Sequence, residues 1–173
     1  MGKNPRLNLV AIPLKTKNCK VDTQDDHGRE PGFCFVPGVW HAADTFDLVR
    51  DLMHKRGLAT EAISTPSVGA SSPDKGLHAD VKHTHAVLKE MVESGRQVVV
   101  VNHSYGGIVG AGGVEGLGYA QRRKTGFPGG VLMEVWLAVF VTPKGKTVMA
   151  MLGGNLLPWM IIKSPDDGYC WSS

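Results

Sequence analysis

Four consecutive valines, Val98 to Val101, run into Asn102-His103-Ser104-Tyr105-Gly106-Gly107. An apolar run of that kind reads as a strand buried on both faces of a parallel sheet. A buried strand, a sharp turn with serine at its apex, and a helix after it form a nucleophile elbow, which exposes the serine hydroxyl. The turn strains the backbone at Ser104, so small residues are needed two positions before and after it. Gly106 meets the second need. Asn102 stands at the first, where glycine is usual, and asparagine is among the few other residues that accept unusual backbone angles. The side chain of His103, next to the serine, is expected to point elsewhere. Ser104 Oγ then lies at a helix N-terminus, where the Tyr105 N–H is free to stabilise an oxyanion.

A second motif stands earlier in the chain. Phe33-Cys34-Phe35-Val36 is a short apolar run ended by Pro37-Gly38, as for a buried strand entering a tight turn. The loop continues Val39-Trp40-His41. Gly38 permits the turn, the Val39 N–H is the expected second oxyanion donor, and Trp40 and His41 are candidates for the pocket wall. A serine beside glycines is a weak signal alone. Two such motifs, in this order and each on its own strand end, point to acyl transfer through an activated serine. The competing reading is two plain glycine turns in some other doubly wound protein.

Phe-Val-Pro-Gly-Val-Trp-His at 35–41 and Val-Val-Asn-His-Ser-Tyr-Gly-Gly at 100–107 resemble the α/β-hydrolase superfamily. The likeness is nearest to small esterases related to plant methylesterases and hydroxynitrile lyases. Val135-Trp136-Leu137-Ala138-Val139-Phe140 followed by Pro143 is similar to that group's next strand. Gly153-Gly154-Asn155 and Pro158-Trp159 look like the start of its cap. The likeness runs from about Phe33 to Trp171, and residues 1–31 have no counterpart. It implies a partial α/β-hydrolase fold, with a mostly parallel sheet, helices on both faces and a cap-like segment from about residue 145. It also implies a small-molecule ester as substrate, Ser104 as nucleophile, and an acid and then a histidine further along the chain.

The sequence departs from that pattern. The seven histidines are His27, His41, His54, His78, His83, His85 and His103, and all precede Ser104. Asp166 and Asp167 follow it, but beside Gly168 they read as a turn. The triad acid and base are therefore expected to be absent, as in a chain truncated inside its cap. His41 is the one candidate for a substitute base, with pocket wall as its plainer role. His78 and His85 share a helix face but stand two turns apart, about 10 Å, so no metal site is expected. Three readings follow: a serine esterase incomplete or inactive as written, a non-catalytic binding or accessory protein or decayed gene product, and a half completed by a second chain.

These motifs need elements to hold them. Ala43 to Arg56 has helical spacing, with Phe46, Val49, Leu52 and Met53 on one side, Asp44 or Thr45 as cap and Gly57 at the end. Leu58 to Ile63 reads as a strand, and Ser64 to Gly76 as a loop. Leu77 to Ser94 is helical, with Leu77, Val81, Leu88, Met91 and Val92 on one side and Gly95 closing it. A helix follows Ser104, and Val131 to Val141 is another buried strand. Seven glycines, Gly106, Gly107, Gly110, Gly112, Gly113, Gly116 and Gly118, fall in the helix after the serine. The first permit close packing, and the later ones have no evident reason. Leu7 to Leu14 is a possible strand, and residues 18–31 read as loop or disorder. The alternation of strand and helix builds an α/β fold with a parallel sheet.

Composition agrees with one globular domain in 173 residues, 42% of them hydrophobic and 20% charged. A net charge of 19 − 16 = +3, scattered along the chain, gives no case for nucleic acid. The basic run Arg122-Arg123-Lys124 suits a helix C-terminus. Cys19, Cys34 and Cys170 make no disulfide framework. Leu7 to Leu14 has no cleavage site behind it, and no stretch reaches the roughly 18 apolar residues of a membrane span, so a soluble cytoplasmic protein is expected. No cofactor is expected. Gly145-Lys146-Thr147 ends like a phosphate loop, but Phe140 stands where its first glycine is required. A truncated parallel sheet would leave an edge uncovered, so poor solubility or self-association is also expected.

Overall fold

In the computed structural model the described residues are 30–72, 74–143, 145–155, 157–161 and 171–172. The valine run becomes the centre of a sheet. Strands β1 (Gly32–Val36), β2 (Thr60–Ala62), β3 (Gln97–His103) and β4 (Gly130–Leu137) lie in the order β2-β1-β3-β4. All neighbours are parallel, with Cys34 opposite Val100 and Val101 opposite Val135. Side chains alternate across the sheet, which divides the core in two. Cys34, Val36, Val98 and Val100 pack with Leu88, Met91, Val92 and Val109 on one face. Phe35, Val99 and Val101 pack with Phe46 on the other. This is a partial α/β-hydrolase fold.

The first face is covered by α2 (Leu77–Glu93) and α3 (Gly106–Gly113). Leu88, Met91 and Val92 of α2 are buried as expected, and so are two polar residues on the same stripe, Asp80 and Thr84. Gly95 follows α2 with φ +86°. The glycines of α3 do have a reason. A methyl at Gly112 would sit 2.9 Å from Val81 Cγ1, and one at Gly113 2.7 Å from Thr84 Cγ2. A Cβ on Gly110 would overlap the Asn102 carboxamide. Each glycine costs about 0.8–1 kcal/mol of helix propensity, and here the close approach of α3 to α2 and β3 offsets it. Gly116 and Gly118 lie outside the helix, in the turn before α4 (Tyr119–Lys124). Arg122, Arg123 and Lys124 form the last turn of α4.

Two expectations about burial are corrected. The segment from Ala43 splits into a 3-10 turn, Ala43–Phe46, and a short helix α1 (Asp47–His54). Phe46 is buried and Met53 partly so, but Val49 and Leu52 are exposed, because no described element packs on that side of α1. Neither Asp44 nor Thr45 caps it. Phe46 stands at the N-cap of α1 and Ala42 at that of the 3-10 turn, neither with a side-chain cap, and Ser64 Oγ accepts the Ala43 N–H at 3.2 Å. The strand expected over Val131 to Val141 ends at Leu137 and is not buried throughout. Among the described strands only β3 pairs with it, beyond a single bridge from Val131 to Gly118 at its start, and Met133, Trp136 and Leu137 are exposed.

Beyond β4 come a short helix α5 (Val148–Met151) and a separate antiparallel pair, β5 (Met160–Ile161) with β6 (Trp171–Ser172). These occupy the segment expected to be cap-like. The possible strand Leu7 to Leu14, nearly all of the 18–31 segment, and Asp166 and Asp167 lie outside the described residues. Among the described residues no helix is long and apolar enough to cross a membrane.

Candidate active site

Among the described residues three other than glycine have positive φ: Trp40 at 64°, Ser104 at 51° and Ala138 at 48°. All three follow the carboxyl ends of parallel strands, β1, β3 and β4. Ligands bind at that end of such sheets, and strained backbone gathers at functional sites. Ser104 is held in its strained turn from two sides. Its N–H donates to the Leu137 carbonyl at 3.2 Å. Its carbonyl accepts from Gly107 at 3.1 Å and from Phe140 at 3.3 Å.

The neighbours of Ser104 are fitted without spare room. A side chain at Gly106 would strike the Val36 and Pro37 carbonyls, and one at Gly107 would sit 2.5 Å from Val139 Cβ. A Cβ on Gly38 would lie 3.0 Å from His103 Nδ1 and 3.2 Å from Ser104 Cβ. The loop after β1 therefore lies directly against the elbow, and Val39 follows at the point of contact. Among the described residues, neither the Val39 nor the Tyr105 N–H donates to another protein group. His41 is exposed, and its Nδ1 lies 2.8 Å from the Val39 carbonyl. Its ring meets the ring of His103 edge to face at 6.2 Å. His103 thus faces the β1 loop. Trp40 is half-buried between Val39 and His41.

Asn102 needs a different explanation from the one its type suggested. It lies in regular strand without positive φ, so backbone tolerance is not its reason. Its side chain is fully buried, and Nδ2 donates to Glu134 Oε1 at 3.0 Å. Burial pushes the Glu134 carboxyl above its ordinary range, against the hydrogen bonds from Asn102 and Trp136.

Sequence reasoning missed a second polar group. Asp80 is fully buried and accepts three hydrogen bonds. They come from the Ser67 N–H at 2.9 Å, Ser67 Oγ at 2.6 Å and the Tyr105 hydroxyl at 2.8 Å. Burial and the Asp80 carboxylate push the Tyr105 phenol well above its usual range, so it stays protonated and donates. The signal was present, since Asp80 and Thr84 stand eight and four residues before Leu88 on the helix face that packs inward, whereas Leu77, expected on that face, is exposed.

An apolar cavity of about 150 Å³ lies beside the elbow, lined by Gly107, Ile108, Ala111, Trp136, Val139 and Phe140 among others. Ser104, Val39, Trp40 and His41 do not line it. Among the described residues no group of three or more histidine, cysteine, aspartate or glutamate side chains is placed to hold a metal ion.

A serine with positive φ thus stands between a parallel strand and a helix, with a glycine loop against it. The alpha/beta hydrolase family model matches residues 33–168, and the chain belongs to that family. It is 27% identical over 123 residues to the alpha/beta hydrolase nvfD of Aspergillus novofumigatus, covering 71% of this chain and 48% of that protein. Among solved structures it is similar to an extracellular alpha/beta-hydrolase from a Paenibacillus species. That protein is described as sharing structural and functional homology with tobacco salicylic acid binding protein 2. The TM-score is 0.53 at 16% identity, over 70% of this chain and 46% of the other. The chain spans about half the length of these relatives.

Proposed function

We propose that this chain carries the nucleophile half of a serine esterase site. Ser104 attacks the carbonyl of a small ester, the Val39 and Tyr105 N–H groups hold the oxyanion, and the alcohol leaves as Ser104 becomes acylated. The observation that supports this most is the strained backbone of Ser104, φ +51°, with its flanking glycines closed against the β1 loop. Family membership supports hydrolase chemistry. All seven histidines precede Ser104, so a triad base in the usual chain order is not among them, and His41 is the one candidate for a substitute. A site with nucleophile and oxyanion donors but no base retains about 10³–10⁴-fold over water.

The test is labelling by a fluorophosphonate, with Ser104→Ala as control and imidazole added as a base in solution. The proposal expects slow labelling that requires Ser104 and rises with imidazole. Labelling that is fast and indifferent to imidazole would assign the base to this chain, with His41 the residue to examine. A second reading, a non-catalytic hydrolase-like binding or accessory protein, is favoured by the same distribution of histidines. Absence of label on a folded chain at any imidazole concentration selects it.

A further inference from the structure

We infer that Asp80 is a positioning residue for the oxyanion site, acting through the Tyr105 side chain. The inference rests on the esterase reading, because it gives the Tyr105 N–H a partner in the reaction. Tyr105 is unlike the other residues of the elbow. Its backbone N–H lies at the reacting end, while its hydroxyl reaches 2.8 Å to a carboxylate on a different helix. That carboxylate is fully buried and has no described cation beside it. A buried carboxylate is tolerable only when donors satisfy it, and three do so here.

Two of the three donors belong to Ser67, in the loop between β2 and α2. Asp80 therefore joins three pieces of chain: that loop, α2 and the elbow. The consequence for chemistry is geometric. Ser104 is fixed by backbone bonds to Leu137, Gly107 and Phe140. Tyr105 carries the peptide N–H that must face the oxyanion, and its side chain is tied at the far end. Two rotatable bonds, χ1 and χ2, separate the phenol ring from the backbone, so anchoring the hydroxyl restricts where the Ser104–Tyr105 peptide can turn. An oxyanion donor is effective only when held in place before reaction. A hydrophobic residue at 105 would fill the same space without that tie.

The experiment uses the 173-residue chain and three variants: Tyr105→Phe, Asp80→Asn and the double. Tyr105→Phe removes one oxygen and leaves the backbone donor present. Fluorophosphonate labelling is followed as kinact and KI, corrected for the folded fraction. The inference expects kinact to fall about tenfold or more in each single variant, short of the 10²–10³ seen when an oxyanion donor is removed outright. It expects KI to stay within a factor of two, and the double to be no slower than the slower single, since both cut the same link.

A purely structural role would lower the melting temperature and leave kinact per folded molecule unchanged, which would overturn the inference. If the wild-type chain takes no label at Ser104, the esterase reading fails by itself. The positioning is then read from the amide of residue 105 by ¹H–¹⁵N NMR. Tyr105→Phe and Asp80→Asn must shift that amide in the same direction and speed its hydrogen exchange. A shift confined to Ser67 would overturn the inference independently. If Asp80→Asn does not fold, Tyr105→Phe alone decides by both readouts.

Discussion

Gly110→Ala gives a sharp test of how the elbow is packed. Alanine in place of glycine inside a helix gains about 0.8–1 kcal/mol of propensity. At Gly110 the new methyl would overlap the Asn102 carboxamide, which is fully buried and held by Glu134 at 3.0 Å. Moving that amide or the helix costs about 1–3 kcal/mol of overpacking. Losing the Asn102–Glu134 bond adds roughly 1–1.5 kcal/mol. The sum is a net destabilisation of about 1–4 kcal/mol after the propensity gain is subtracted. Asn102→Gly removes the obstacle and loses the same hydrogen bond. The double variant Asn102→Gly with Gly110→Ala should then recover most of the Gly110→Ala loss, with a coupling energy of about 1 kcal/mol or more. Urea unfolding of the four proteins measures this, since the midpoint shifts at constant slope when only stability changes. A Gly110→Ala chain as stable as wild type, or two losses that simply add, would refute the packing argument.

The remaining expectations are shorter. Glu134 has its pKa raised in the folded chain, so the stability linked to it is present below the unfolded value near 4.5 and is lost as pH rises through the raised folded value. Glu134→Gln keeps an acceptor for Asn102 and should be the more stable protein at neutral pH, with the difference vanishing in acid; thermal melts across pH read this. Burial pushes the Cys34 thiol up to about 12, so Cys34 should resist maleimide in the folded chain and react only on unfolding, as followed by peptide mass mapping. The exposed edge of β4 should cause concentration-dependent association in analytical ultracentrifugation, and Met133→Lys should reduce it without a change in melting temperature.

The strand ends were legible because their signals are local. Val98 to Val101 can only be a buried strand, and glycines around Ser104 and at Gly38 mark places where backbone must turn or approach closely. The positive φ of Ser104 follows from that pattern. The positive φ values of Trp40 and Ala138 do not, since neither residue type announces them. Asn102 was misread because its type suggested a backbone role. Its partner Glu134 is 32 residues away and known only from the register of β3 with β4. Asp80 was passed over because the apolar members of its helix face drew the reading, although a polar residue on a buried stripe is the more informative one. The later glycines of α3 became intelligible only against Val81 and Thr84 of α2. The burial of α1 and β4 was overestimated for one reason: periodicity shows which side is apolar and not whether anything covers it.

Acyl transfer through Ser104 would leave a covalent product. Its most direct test is incubation of the folded chain with p-nitrophenyl acetate, followed by intact-mass and peptide analysis. Attack by Ser104 releases p-nitrophenolate and leaves one acetyl ester. With no histidine after Ser104 to activate water as a triad base would, that ester should persist, map to Ser104 and be absent from Ser104→Ala. Acetylation confined to lysine or histidine, or an unmodified Ser104 in a folded chain supplied with imidazole, would contradict the claim.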